Sequence, residues 1–527
     1  MPFNVGFIAL AATLASTAVH AHSGSVLARQ VSSLAQTMQI TNKVISPDGF
    51  ARNAVVAGGT MPGPILTYNK GDRVTVNVVN KLQDASMYKT TSVHWHGLFQ
   101  KGSNWADGAA MVNQCPIASG HEFQYDFPLQ EHTGTYWYHS HMEVQYCDGL
   151  RGAIVVYDPQ DPLKSLYDID NKDTVITLMD WFHAPARSIV TITHPDSTLI
   201  NGRGRYVGGP AAPLSVITVE KGKRYRMRLI SMSCDANHVF KIDGHTDFKV
   251  IETDGIATET VVADQIHIFA GQRYSFVLNA NQKVGNYWIR AQPNIGPEGY
   301  EGGTNLAILR YKGASKTDPT TSEVTPTAPL VEAELAPLEN PAAPGIPQLG
   351  AADVNLRIEV GVNFDPFLFT MNGIPYQSPP TPILLQILNG ATNVADLLPH
   401  GTIYMLPRNK VIEITVVSLD LTAPHPFHLH GHTFSIVKGP YDSKPNFVNP
   451  PRRDVVDMGG SAHETVIRFV TDNAGPWMFH CHIEFHVVFG MGVVFVADAP
   501  STNVENPRPA AWDELCPIYN ALPESEH

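Results

Sequence analysis

Apolar and polar positions alternate along this chain in short runs, and three of the runs repeat one another. Gly71-Asp-Arg-Val-Thr-Val-Asn-Val-Val79, Gly222-Lys-Arg-Tyr-Arg-Met-Arg-Leu-Ile230 and Asn409-Lys-Val-Ile-Glu-Ile-Thr-Val-Val417 each leave a turn and then change face at every residue. Successive side chains of an extended strand point to opposite sides, so these runs predict three related strands. A second triplicate follows: Gly134-Thr-Tyr-Trp-Tyr-His-Ser-His141, Gly285-Asn-Tyr-Trp-Ile-Arg-Ala-Gln292 and Gly475-Pro-Trp-Met-Phe-His-Cys-His482. Phe240-Lys-Ile-Asp-Gly-His245 likewise mirrors Phe427-His-Leu-His-Gly-His432. Self-similarity of this kind means one unit used three times. Nothing reads as a long amphipathic helix. The expected class is all-β, with three consecutive Greek-key β-sandwich domains.

Length and punctuation agree with that reading. At about 150 residues per domain, the 527 residues accommodate three domains, and 41 Gly and 40 Pro break the strands. The expected boundaries are 22–158, 159–311 and 351–500. A Pro/Ala/Thr/Glu-rich linker lies between the last two at 312–350, and a C-terminal tail covers 501–527. The apolar run from Val5 to Val19, followed by Val19-His20-Ala21, resembles a secretory signal over 1–21, although its start lacks Lys and Arg. The run is too short for a comfortable membrane span. A net charge of −13 argues against nucleic-acid or anionic-membrane partners. Five cysteines suit an oxidising, extracellular setting if one has another task and four pair.

That other task is written in His480-Cys481-His482-Ile-Glu-Phe-His486-Val-Val-Phe-Gly-Met491. A thiolate, an imidazole and a weak thioether are the donors of a trigonal blue-copper site. Strand alternation sends Cys481 to one face and His480 and His482 to the other, so one strand can serve two metal sites. His94-Trp-His96, His139-Ser-His141 and His428-Leu-His430 add imidazoles at the same i, i+2 spacing. Eight histidines (94, 96, 139, 141, 428, 430, 480 and 482) suit a three-copper cluster, leaving His425, Cys481 and His486 for the separate site. His432 fits no slot and reads as structural. The middle repeat carries Lys241, Asp243, Arg290 and Gln292 where the outer two carry ligands. The cluster is therefore expected between the first and third domains, with the middle one as spacer and substrate wall.

With these motifs the chain resembles a fungal laccase, a three-domain multicopper oxidase, over nearly its whole mature length. Gly102-Ser-Asn-Trp-Ala-Asp107-Gly, Gln145-Tyr-Cys147-Asp-Gly-Leu-Arg-Gly, Ser233-Cys234-Asp235-Ala-Asn and Leu515-Cys516-Pro-Ile-Tyr strengthen the likeness. The resemblance implies cupredoxin-like domains holding four copper ions, one type 1, one type 2 and two type 3. It implies His425, Cys481 and His486 on the type 1 copper, with Met491 at the axial position, where such enzymes commonly carry Leu or Phe. His94 and His428 would hold the type 2 copper. His96, His139 and His482 would hold one type 3 copper, and His141, His430 and His480 the other. The family's disulfides would be Cys115–Cys516 and Cys147–Cys234. The implied reaction is one-electron oxidation of phenols and aromatic amines coupled to four-electron reduction of dioxygen to water. Asp235 would accept the phenolic proton, and an exposed Asp near its ordinary pKa of about 3.9 would stay ionised under mild acid. Asp107 would relay protons to the cluster. A secreted monomer is expected, with its role in lignin breakdown, pigment formation or detoxification left open. Asn-x-Ser/Thr sites, usual in secreted members, are absent from the sequence. A metal-ion oxidase would need acidic groups beside His486, and a non-catalytic electron carrier would lack the cluster ligands.

Overall fold

A computed structural model describes residues 1–2, 36–190, 194–294, 303–419, 421, 423–461 and 463–526. The expected signal at 1–21 lies almost wholly outside the described residues. From 36 onward the chain forms six sheets, two for each repeat. Each repeat has its own buried apolar core. Among the described residues no helix exceeds six residues, and none is long and apolar enough to cross a membrane.

The alternating runs become the strands Arg73–Asn80, Arg224–Ser231 and Val411–Ser418, and all three occupy the same place. Each lies between a parallel neighbour (Gln36–Ile45, Val175–Trp181 or Val354–Phe364) and an antiparallel one (Glu122–Pro128, Arg273–Asn279 or Glu464–Val470). The second triplicate gives Gly134–Ser140, Asn286–Asn294 and Gly475–Cys481, each inside the facing sheet. Register completes the equivalence. His94 pairs with His139, Lys241 with Arg290, and His428 with His480. In the middle repeat the Arg290 guanidinium grips Asp243 through two 2.8 Å bonds, so an ion pair fills the positions that carry histidines elsewhere. His245 and His432 are matched too. Each Nδ1–H donates to the carbonyl two residues back, at 2.9 and 3.2 Å, which is a structural task.

Simple alternation predicts solvent for the Arg face of Arg224–Ser231. Instead Arg226 and Arg228 are buried, pairing with Glu252 and with Asp161 and Asp170. Arg228 also donates to Thr135 Oγ1 of the first repeat at 2.9 Å, so this face is an internal seam. Within 312–350, Leu335 enters the middle core. The C-terminal residues turn back as short helices. There Trp512, Leu515, Cys516 and Tyr519 join the first core, where Cys516 pairs with Cys115. A second disulfide joins Cys147 to Cys234.

Candidate metal centres

Every residue of the strand Gly475–Cys481 is buried, and its alternation serves two separate places. On one face Cys481 Sγ lies 3.7 Å from His425 Nδ1 and 3.6 Å from His486 Nδ1, and the two nitrogens are 3.1 Å apart. His425 directly precedes the strand Pro426–Leu429, and His486 rides on the helical turn Glu484–Val488. Met491 is fully buried in the core that holds Cys481, and its carbonyl accepts the Cys481 N–H at 3.2 Å. On the other face His480 Nε2 stands 3.0 Å from His430 Nε2.

That second place gathers the eight histidines 94, 96, 139, 141, 428, 430, 480 and 482 from the first and third repeats. Donor atoms of His94, His96 and His139, of His94, His428 and His430, and of His141, His430 and His480 each fall within 4.8 Å of one another. His96 Nδ1 meets His482 Nε2 at 3.1 Å. Backbone and carboxylate acceptors fix the tautomers, since a carbonyl or carboxylate can only accept. The Nδ1–H groups of His94, His139, His428 and His480 donate to the carbonyls of Asp107, Ser140, Asp454 and Cys481 at 2.7–2.9 Å. His430 donates to the Asp107 carboxylate at 2.7 Å. Their Nε2 lone pairs are left pointing inward. Indeed Nε2 of His94, His139, His141 and His428 is buried with no hydrogen-bond partner among the described residues. Buried polar atoms rarely stay unpaired, and two lone pairs 3.0 Å apart repel unless a cation lies between them. Burial pushes His141 down to about 3 and His425 to about 4, and with neighbouring imidazoles holds His96, His139, His430, His480 and His482 well below the usual range. Neutral imidazole is the metal-binding form. The donor set fits copper.

The carboxylates sort into three settings. Asp107 is fully buried, bonded to His430 with its other oxygen 3.4 Å from His94 Nδ1. Gly108, at φ +83°, lets its turn press against the strand Val93–His96, because a Cβ there would meet Val93 O at 1.8 Å. Asp235 departs from expectation. It is half-buried, and burial together with the nearby Asp180 pushes its carboxyl up to about 8. Its loop reaches the side of Cys481 and His486, where Cys234 O accepts the Glu484 N–H at 2.8 Å. Asp454 was not foreseen. It accepts from His96 Nε2 at 3.1 Å and is held by Arg273 of the middle repeat, so that repeat is more than a spacer. No motif marks Asp454 or Arg273. The one available signal was the run of charges at Arg452-Arg453-Asp454, placed in a β-rich stretch.

Three family models describing multicopper oxidases match residues 39–161, 172–314 and 376–501. Laccase-2 of Pleurotus ostreatus is 56% identical over 93% of this chain and 94% of its own length. Laccase-4 of Trametes villosa is 53% identical over 93% and 94%. The chain belongs to the laccases of the multicopper oxidase family. Among solved structures, the laccase from Botrytis aclada superposes with a TM-score of 0.81 at 31% identity, covering 92% of each chain. A multicopper oxidase described as functioning in iron import gives 0.81 at 27%, covering 93% of this chain and 95% of its own. The three β-sandwiches are thus cupredoxin-like, and the protein is a laccase, an oxidoreductase that uses one type 1, one type 2 and two type 3 coppers.

Proposed function

We propose that phenols and aromatic amines surrender one electron at a time through the half-exposed His486 imidazole, while Asp235 takes the phenolic proton. Bound copper supplies the redox chemistry: a one-electron couple at His425, Cys481, His486 and Met491, and four-electron reduction of dioxygen to water at the eight-histidine cluster. We assign His94 and His428 to type 2, His96, His139 and His482 to one type 3 copper, and His141, His430 and His480 to the other. His480 and His482 flank Cys481 in sequence, so a few covalent bonds connect the two centres. Asp107 orients His94 and His430 and is placed to pass protons to the cluster.

The observation that carries the substrate reading is the half-buried Asp235 on a loop bonded to the His486 turn. A carboxyl raised to about 8 is a stronger base than an ordinary Asp. The electron leaves towards the type 1 site and the proton moves to Asp235, so no charge builds up on the phenol. The ratio of phenol turnover to that of a donor releasing no proton should climb as pH approaches 8, because the ionised fraction of Asp235 grows. Asp235→Asn should lower and flatten that ratio by about tenfold or more. Equal losses for both donor classes would assign Asp235 to structure alone. Two disulfides support a secreted enzyme. We expect it to act as a monomer without nucleic-acid or membrane partners.

A further inference from the structure

Arg273 is fully buried and touches all three repeats at once. Its Nε–H donates to Thr135 O of the first at 3.0 Å. Within the middle repeat its own N–H donates to Asp254 Oδ1 at 2.8 Å and its Nη1 to Gly271 O at 3.0 Å. Nη1 and Nη2 then grip both carboxylate oxygens of Asp454 in the third, each at 2.7 Å. The turn that launches Arg273 is pressed against the cluster. At Gly271, with φ +85°, a Cβ would lie 2.9 Å from His482 Cδ2 and 3.1 Å from His96 Cε1.

His96 is the exception among the cluster histidines whose ring bonds are described. His94, His139, His428, His430 and His480 commit Nδ1–H outward and face inward with Nε2. His96 is turned the other way, with Nε2 on Asp454 Oδ1 and Nδ1 facing His482 Nε2. A reversed ring needs its own acceptor for Nε2–H, and that acceptor must be held immobile in a dry site. The two-pronged grip of the Arg273 guanidinium on Asp454 provides that hold.

We infer that Arg273 is a positioning residue for the copper cluster: through Asp454 it fixes His96 as the Nε2–H tautomer, so that Nδ1 is the donor atom. Asp454 also bonds His428 through its own carbonyl, at 2.9 Å, so one salt bridge steadies two ligands. The middle repeat carries other residues at the positions of its neighbours' histidines, yet supplies the clamp that orients them. This rests on the eight-histidine assignment above, which the copper content of the wild-type enzyme tests separately: fewer than four ions per chain would fail that assignment first.

The test is copper release to a competing chelator from holo Arg273→Gln and Arg273→Lys, read by copper content, by the blue absorption and by integrating Cu(II) electron paramagnetic resonance. In Arg273→Gln the cluster coppers should leave at chelator concentrations about 10- to 100-fold lower than in wild type. New resonance from a type 3 pair no longer coupled should appear. The blue band, which depends on the other face of the strand, should be unmoved and serves as the control for folding. Arg273→Lys keeps the charge but not the two-pronged grip, and should fall between. Should Arg273→Gln yield no folded protein, Arg273→Lys decides alone. Unchanged cluster retention in folded, blue protein overturns the inference. So does parallel loss of blue and cluster copper, which marks general destabilisation.

Discussion

Cys481 is a thiol shut away from water, with two neutral imidazole nitrogens within 3.7 Å. Burial pushes its pKa up, so without a metal the thiolate would not form, and a bound cation reverses that preference outright. Cys481→Ser should therefore abolish the intense blue absorption and substrate oxidation while cluster copper stays bound. Blue colour with turnover in that variant would refute the division of labour between the two faces. Met491, fully buried beside Cys481, tests the same place more gently. A thioether favours Cu(II) over Cu(I), so Met491→Leu should raise the type 1 potential by at least about 59 mV, a tenfold change in the one-electron equilibrium. The volume change is small and should leave the fold intact. Redox titration of the blue band checks it, and an unmoved potential would show that the sulfur is no ligand. These side chains were legible in sequence because copper demands rare donor types at fixed spacings. The protonation state of Asp235 was not, because burial and the charge of Asp180, 55 positions away, set it.

The loop that carries Asp235 is shaped by one carboxylate. Asp180 accepts backbone N–H groups from Cys234, Asp235 and Ala236 at 3.0, 2.7 and 3.2 Å, and Arg151 donates to it at 3.1 Å. Asp180→Asn keeps the shape but loses the charge that gathers those donors. Hydrogen bonds to a charged group contribute about 1.5–3 kcal/mol each, so the melting temperature should fall by several degrees. KM for phenols should rise more than KM for a donor that releases no proton. An unaltered phenol KM in a folded variant would separate the loop's stability from substrate placement. The strands themselves were readable because one-sided burial leaves a period of two. The burial of the Arg-bearing face of Arg224–Ser231 was not readable in that period. Its partner Glu252 comes from another strand, and the first repeat covers both. Arg453 likewise finds Asp254 199 positions away, a match no local pattern records.

Buried charge between the repeats has a pH signature. Glu252 accepts the Thr135 N–H at 2.7 Å across the seam, and although burial opposes it, Arg226, Arg228 and Ser275 bring its carboxyl down to about 2. A depressed folded pKa contributes stability that is complete above the ordinary value near 4.5 and fades as pH falls towards 2. Glu252→Gln should cost on the order of 3 kcal/mol near pH 6. Melting curves of variant and wild type should converge between pH 5 and 2, and a constant gap would count against the pairing. The distance along the chain between cluster ligands has another consequence, one of timing. His96 and His482 touch, yet 386 positions separate them. A ribosome has finished two sandwiches and most of a third before the last ligand emerges, so no partly made chain can hold the cluster. The three-way junction closes through contacts that need no metal, among them the Arg273–Asp454 salt bridge, the Cys147–Cys234 disulfide and an apolar cluster joining Trp137, Ile230 and Phe485. Copper delivery is then a post-synthetic event, and cells starved of the metal should accumulate folded, colourless enzyme that later additions of copper can awaken.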